Sequence, residues 1–186
     1  MTHDTDRIVA ETRAWVTEAV VGLDLCPFAG AVLARDRIRF AVTGASDPAG
    51  LIGALGDELT LLAAADPARI ETTLLIHPGI LNDFLDFNDF LADAERLVER
   101  LGFGGMLQVA SFHPDFRFAG TSAGDIGNAT NRSPYPTLHL LRESSVARAV
   151  DGWGNTDSIF EDNIRRLEAL GPEGWAALER RWRPPR

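Results

Sequence analysis

Apolar residues recur along this chain in two rhythms. Ile8, Trp15, Val16, Ala19 and Leu23 share one helical face, after cap-type residues Asp4 and Thr5. Residues 37–43 switch to period two, with Ile38, Phe40 and Val42 on one side, and predict a strand. Asp47-Pro48 pairs a cap with proline at the first helical position and opens a helix to about residue 65, closed by Asp66-Pro67. Residues 71–76 form a compact β-branched and leucine-rich strand. Phe84, Phe87, Leu91, Ala94, Val98 and Leu101 then mark a helix that stops before Gly102. Residues 106–112 are the third strand and 137–142 the fourth. Between them lies a Gly/Asn/Ser/Pro-rich segment, 114–136, longer than the roughly 12–15 residues usual for structureless loops.

After the fourth strand a short helix starts near Ser144. Asp157 caps another, with Ile159, Phe160, Ile164 and Leu167 inward. Gly171-Pro172 breaks it, and a last helix carries Trp175, Leu178 and Trp182.

Strands separated by helices imply right-handed crossovers and parallel neighbours. The fourth strand follows a loop without a crossover helix, so it runs antiparallel. The expected fold class is α/β: a single domain over 1–186, frayed at about 1–5 and 183–186, on a small mixed, mostly parallel four-stranded sheet with helices on both faces. A ferredoxin-like two-layer α+β arrangement is the alternative.

Composition narrows the chemistry. The 186 residues, 45% hydrophobic and 24% charged, suit one globular domain. All 18 basic residues are arginine, which excludes a P-loop lysine and Schiff-base chemistry. One cysteine excludes an internal disulfide, a CxxC pair and a zinc ribbon. A formal charge of −9 repels phosphate backbones, so no nucleic-acid partner is expected; the arginine-rich stretch at 180–186 reads as a solvated end. Residues 1–10 lack the apolar core of a signal peptide, and the longest nearly apolar run, 59–65, is far too short to cross a bilayer. No membrane partner and a cytoplasmic location are therefore expected, with Cys26 a free thiol. Nothing in the pattern fixes the oligomeric state.

One local pattern occurs twice: an apolar strand that ends in His-Pro, at His77-Pro78 and at His113-Pro114. Both histidines fall at carboxyl ends of strands, where open α/β sheets place ligands. On adjacent parallel strands, ~4.8 Å apart, the two imidazoles would reach one ligand; otherwise they only terminate strands. Cys26 follows the first helix and precedes Pro27. At the N-cap of a second helix its thiolate would be favoured by the helix dipole; alternatively it is a small buried hydrophobe. Asp115 follows His113 closely enough to orient its ring or act as a base. Asn131, Arg132, Ser133 and Tyr135 bring an amide, a guanidinium and two hydroxyls into a proline-stiffened stretch suited to a carboxylate or phosphate. His139, among leucines in the fourth strand, reads as a hydrogen-bonded core residue or as a third ligand beside His77 and His113.

The stretches Leu25-Cys26-Pro27-Phe28-Ala29, Leu75-Ile76-His77-Pro78, Ser111-Phe112-His113-Pro114 and Asn131-Arg132-Ser133-Pro134-Tyr135-Pro136 with its continuation through His139 to Glu143 together resemble a bacterial family catalogued as domain of unknown function 1415. The resemblance spans about residues 11–175. It implies one intact domain of that family and no particular reaction.

The function expected on these grounds is a small soluble enzyme acting on a small anionic molecule by hydrolysis or acyl transfer. Its Cys/His site lies at the carboxyl edge of the sheet, under the 114–136 segment. Cys26 is the nucleophile or redox-active thiol, His113 with Asp115 the acid/base, and His77 an electrostatic support. Asn131, Arg132, Ser133 and Tyr135 hold the substrate. The alternatives are a metalloprotein with zinc or iron on His77, His113 and either His139 or Asp115, and a non-catalytic small-molecule-binding or interaction module.

Overall fold

A computed structural model describes residues 2–153 and 156–183, and the side chains of all of these except 2–3, 149–153 and 156–158. The element order follows the two rhythms. Helix α1 (Thr2–Trp15) runs into one π-helical segment (Val16–Val21), and α2 (Ala29–Ala34) follows a turn. Then come β1 (Ile38–Val42), α3 (Pro48–Ala64), β2 (Thr72–Ile76), α4 (Phe84–Arg100) and β3 (Leu107–Phe112). A 3-10 helix (Ile126–Asn131) leads to β4 (Thr137–Arg142), α5 (Glu143–Trp153) and α6 (Thr156–Glu179).

The caps work as their chemistry requires. Asp47 accepts from the Gly50 N–H at the start of α3, and Asp83 accepts from the N–H groups of Leu85 and Asp86 at the start of α4. The last carbonyls of α3 are met from the sheet: Arg142 Nη2 donates to Leu62 O at 2.7 Å and to Ala65 O at 2.8 Å. Gly22 closes the π-helical segment, where a Cβ would stand 2.3 Å from the Glu18 carbonyl oxygen. Gly171, at φ 69°, breaks α6 just before Pro172.

The sheet order is β1-β2-β4-β3. β1 pairs with β2 in parallel, and β4 pairs antiparallel with both β2 and β3. Three strands thus run one way and β4 the other. β2 and β3 are not neighbours, contrary to the adjacency that a shared His77/His113 ligand assumed. The crossover through α4 leaves a gap one strand wide, and β4 returns from the long segment to fill it.

Helices cover both faces, so the ferredoxin-like alternative falls. α3 and α4 pack on the face carrying Leu75, Leu107, Leu138 and Leu140. α1, the π-helical segment and α6 close over the face carrying Ile38, Leu74 and Phe112. Residues 2–5 are part of α1, although expected to fray; 184–186 and residue 1 lie outside the described residues. The Asp157 cap lies outside the described side chains. Phe160 is not inward: it is 47% exposed and meets the Phe118 ring edge-on. No helix among the described residues is long and apolar enough to cross a membrane.

Candidate functional site: a cavity on one face of the sheet

Period-two alternation sends Thr73, Leu75 and His77 to the α3/α4 face, and Thr72 and Leu74 to the other. The two faces differ. On the α3/α4 side the strands offer leucines that fill the space. On the other side they present small or polar residues, Thr72, Gln108, Ala110 and His139, among Ile38, Leu74, Phe112 and Leu141. A cavity of about 300 Å³ lies over them. Trp15 walls it from the end of α1, Val16 and Val20 from the π-helical segment, Leu25 to Phe28 from the turn, Ala29 and Val32 from α2, and Val146 and Ile159 from α5 and α6. Gln108 is exposed, so the β3 edge forms part of the mouth. No arginine, aspartate or glutamate is among the described lining residues.

The turn with Cys26 is pinned by α6. Asn163 Nδ2 donates to Leu25 O at 2.8 Å, and Arg166 donates to both the carbonyl and the carboxylate of Asp24. Cys26 lines the cavity. Burial pushes its thiol up; the backbone N–H groups of Phe28 and Ala29 pull it down less, and the Asp24 charge adds to the rise. The helix-terminus effect expected for Cys26 is present but outweighed. Phe28, not Cys26, is the N-cap of α2.

His139 also lines the cavity. Its Nε2 is 2.8 Å from Thr72 Oγ1, whose hydroxyl donates to Leu140 O at 2.5 Å. Burial pushes its pKa down to about 4, so the ring is neutral at ordinary pH.

His77 and His113 lie at the opposite face, at the carboxyl edge, with the Phe87 ring against both. Phe87 stacks on His77 at 5.7 Å between centroids and meets His113 at 5.1 Å. His77 Nδ1 donates to Ile80 O at 3.1 Å, and His113 Nε2 donates to Leu81 O at 3.1 Å. Together they hold the loop after β2, where Leu81 has φ 56°. Burial lowers both pKa values, that of His77 to about 4; the Ile80 carbonyl opposes this and the His113 charge adds to it. The Asp115 N–H donates to His113 Nδ1 at 3.0 Å, and the Asp115 charge partly opposes the lowering of the His113 pKa. Both ring nitrogens of His113 are thus engaged, which leaves it no free lone pair for acid/base work in this arrangement. Cys26 faces the cavity on the other side of the sheet, so Cys26, His77 and His113 do not form one constellation. Nor do the candidate metal ligands: His139 is separated from His77 and His113 by the sheet. Among the described residues no group of three or more His, Cys, Asp or Glu is placed to hold a metal.

The proline-stiffened stretch is tied internally. Asn131 Nδ2 donates to Ser111 O, Arg132 Nη2 to Ala123 O, and Ser133 Oγ to Tyr135 O. The Tyr135 hydroxyl donates to the Glu11 carboxylate. Burial foremost, then Glu11, pushes the Tyr135 pKa up to about 12. The described residues contain no cis peptide bond, so Pro134 and Pro136 follow trans bonds. Of these four residues only Asn131 lines the cavity.

Sequence reasoning missed Thr72, Gln108 and Ala110 as lining residues, and missed Asn128. The buried Asn128 amide accepts from Phe118 N and Thr121 Oγ1 and donates to Ser122 O, which organises the 114–136 segment. A partial signal for the cavity was legible: its face of β3 and β4 carries Gln108, Ala110 and His139 where the other face carries Leu107, Val109, Leu138 and Leu140.

Residues 7–177 match the family described as protein of unknown function (DUF1415). The chain belongs to that family. The match takes in the cavity walls and the His77/His113 corner alike. No curated protein and no solved structure matches the chain.

Proposed function

We propose that this protein binds a small, neutral and mainly apolar molecule in the cavity between the sheet and the α1/α6 layer. The observation that carries the reading is a hydrocarbon-walled space of about 300 Å³ floored by side chains from all four strands, with His139 at its base. That volume is at the lower end of the range for small-molecule sites, roughly 300–1,000 Å³. A hollow this large opposes folding: at ~24 cal/mol per Å³ it would cost up to about 7 kcal/mol if fully enclosed, a large part of a domain's usual stability.

The walls favour this binding-module reading over an anionic substrate. A carboxylate or phosphate entering here would lose its hydration and meet no guanidinium among the described lining residues. Cys26, held as a thiol, adds a small polarizable wall.

The test is a titration with compact apolar molecules such as toluene, indole and naphthalene, followed by thermal shift and calorimetry. Saturable one-to-one binding that weakens when Ala110→Ile narrows the floor supports the reading. Failure of every such molecule to bind saturably, or binding that ignores Ala110→Ile, overturns it.

A further inference from the structure

The hydrogen-bond pattern around His139 carries information about the ligand. The Leu140 carbonyl can only accept, so Thr72 spends its single hydroxyl proton there, at 2.5 Å. Toward His139 Nε2, 2.8 Å away, Thr72 Oγ1 can then only accept. Nε2 must carry the hydrogen. A neutral imidazole has one N–H, so the lone pair is on Nδ1.

No hydrogen bond from a described residue reaches Nδ1. Nor is it one of the unpartnered polar atoms sealed inside the protein, as His77 Nε2 and Thr130 Oγ1 are. It therefore opens onto the cavity that its ring lines. Two other polar side chains line the cavity: Asn131 gives an Nδ2 hydrogen to Ser111 O and keeps its Oδ1 without a partner among the described residues, and Gln108 stands at the exposed mouth.

We infer that the ligand carries a hydroxyl or N–H donor on its apolar body, and that this donor is received by the Nδ1 lone pair of His139. The inference rests on the binding reading above and names the class of molecule it admits. A donor gains a hydrogen bond in a dry site. An ether, ketone or ester presents lone pair to lone pair, and a bare hydrocarbon leaves Nδ1 desolvated and unpaired. Because Thr72 and Leu140 are on paired strands, the tautomer is set by the sheet and does not depend on the ligand.

The experiment compares p-cresol, 4-methylanisole and toluene, three molecules with similar bodies that differ in donor and acceptor. Calorimetry on the whole chain gives affinities, and 15N NMR of the histidine rings reports Nδ1. p-Cresol is expected to bind about tenfold more tightly than the other two, and to shift the unprotonated His139 nitrogen where toluene does not. In His139→Leu the preference for p-cresol over toluene disappears, whatever the change in absolute affinity. Should that variant fail to fold, the wild-type affinities and NMR decide alone. Equal binding of all three, or tighter binding of 4-methylanisole, overturns the donor inference and leaves the cavity reading intact. Absence of saturable binding by any of them overturns both. An NMR signature of a protonated Nδ1 in the free protein overturns the donor inference by itself.

Discussion

Replacing Ala110 with isoleucine tests whether the floor of the cavity is free space. Ala110 sits on β3 directly opposite His139 on β4 and points into the cavity. The change adds three carbons and a β-branched side chain that suits a strand. If the space exists, each added carbon contributes about 0.8 kcal/mol on burial, about 2.4 kcal/mol in all. If the neighbours already fill it, overpacking costs about 1–3 kcal/mol instead. The two possibilities differ in sign. For a chain of this length 1 kcal/mol moves Tm by about 2–4 °C, so the expected rise is roughly 5–10 °C. Urea unfolding followed by far-UV circular dichroism measures the midpoint and the slope. A higher midpoint with unchanged slope is expected. A lower midpoint at unchanged slope refutes the description of the cavity, and with it the functional reading.

Two more outcomes follow from burial. His77 and His139 have folded pKa values pushed down to about 4 from an ordinary 6.5. Their unfolded forms therefore take up protons first, and each neutral ring contributes roughly 3 kcal/mol that is complete above about pH 6.5 and lost as pH falls toward 4. Stability measured between pH 7 and 4 should fall steeply; a flat profile across that window would contradict both burials. Cys26, with its thiol pushed up, should react with iodoacetamide at pH 7 more slowly than free cysteine, and more slowly still with p-cresol bound. A rate above that of free cysteine would restore the nucleophile reading.

The fold was legible wherever one local signal decided it. Asp47-Pro48 sets the start of α3 through a hydrogen bond that spans only three residues. The antiparallel sense of β4 followed from the missing crossover helix. The site was less legible because its residues meet through strand order. Whether His77 and His113 share a ligand depends on what lies between β2 and β3, and no residue near either histidine records that β4 does. Cys26 and His139 face one cavity only because α1 and α6 cover the same side of the sheet. The polarity of residues 131–135 was visible, but its use in closing a loop on itself was not: donors that bind carbonyls of their own chain look the same in sequence as donors that bind a ligand.

The position of β4 also bears on how the molecule assembles. The strand that joins the two halves of the sheet is the last of the four to be synthesised. Until Arg142 has emerged, β2 lacks its inner partner and β3 has no partner at all. Local helices can form early, but the sheet closes only by pairing segments more than sixty residues apart, such as Thr73 with Leu140. Such long-range closure is slow relative to helix formation. A nascent or truncated chain ending before β4 would carry two unzipped strand edges, and aggregation rather than partial folding is its natural fate.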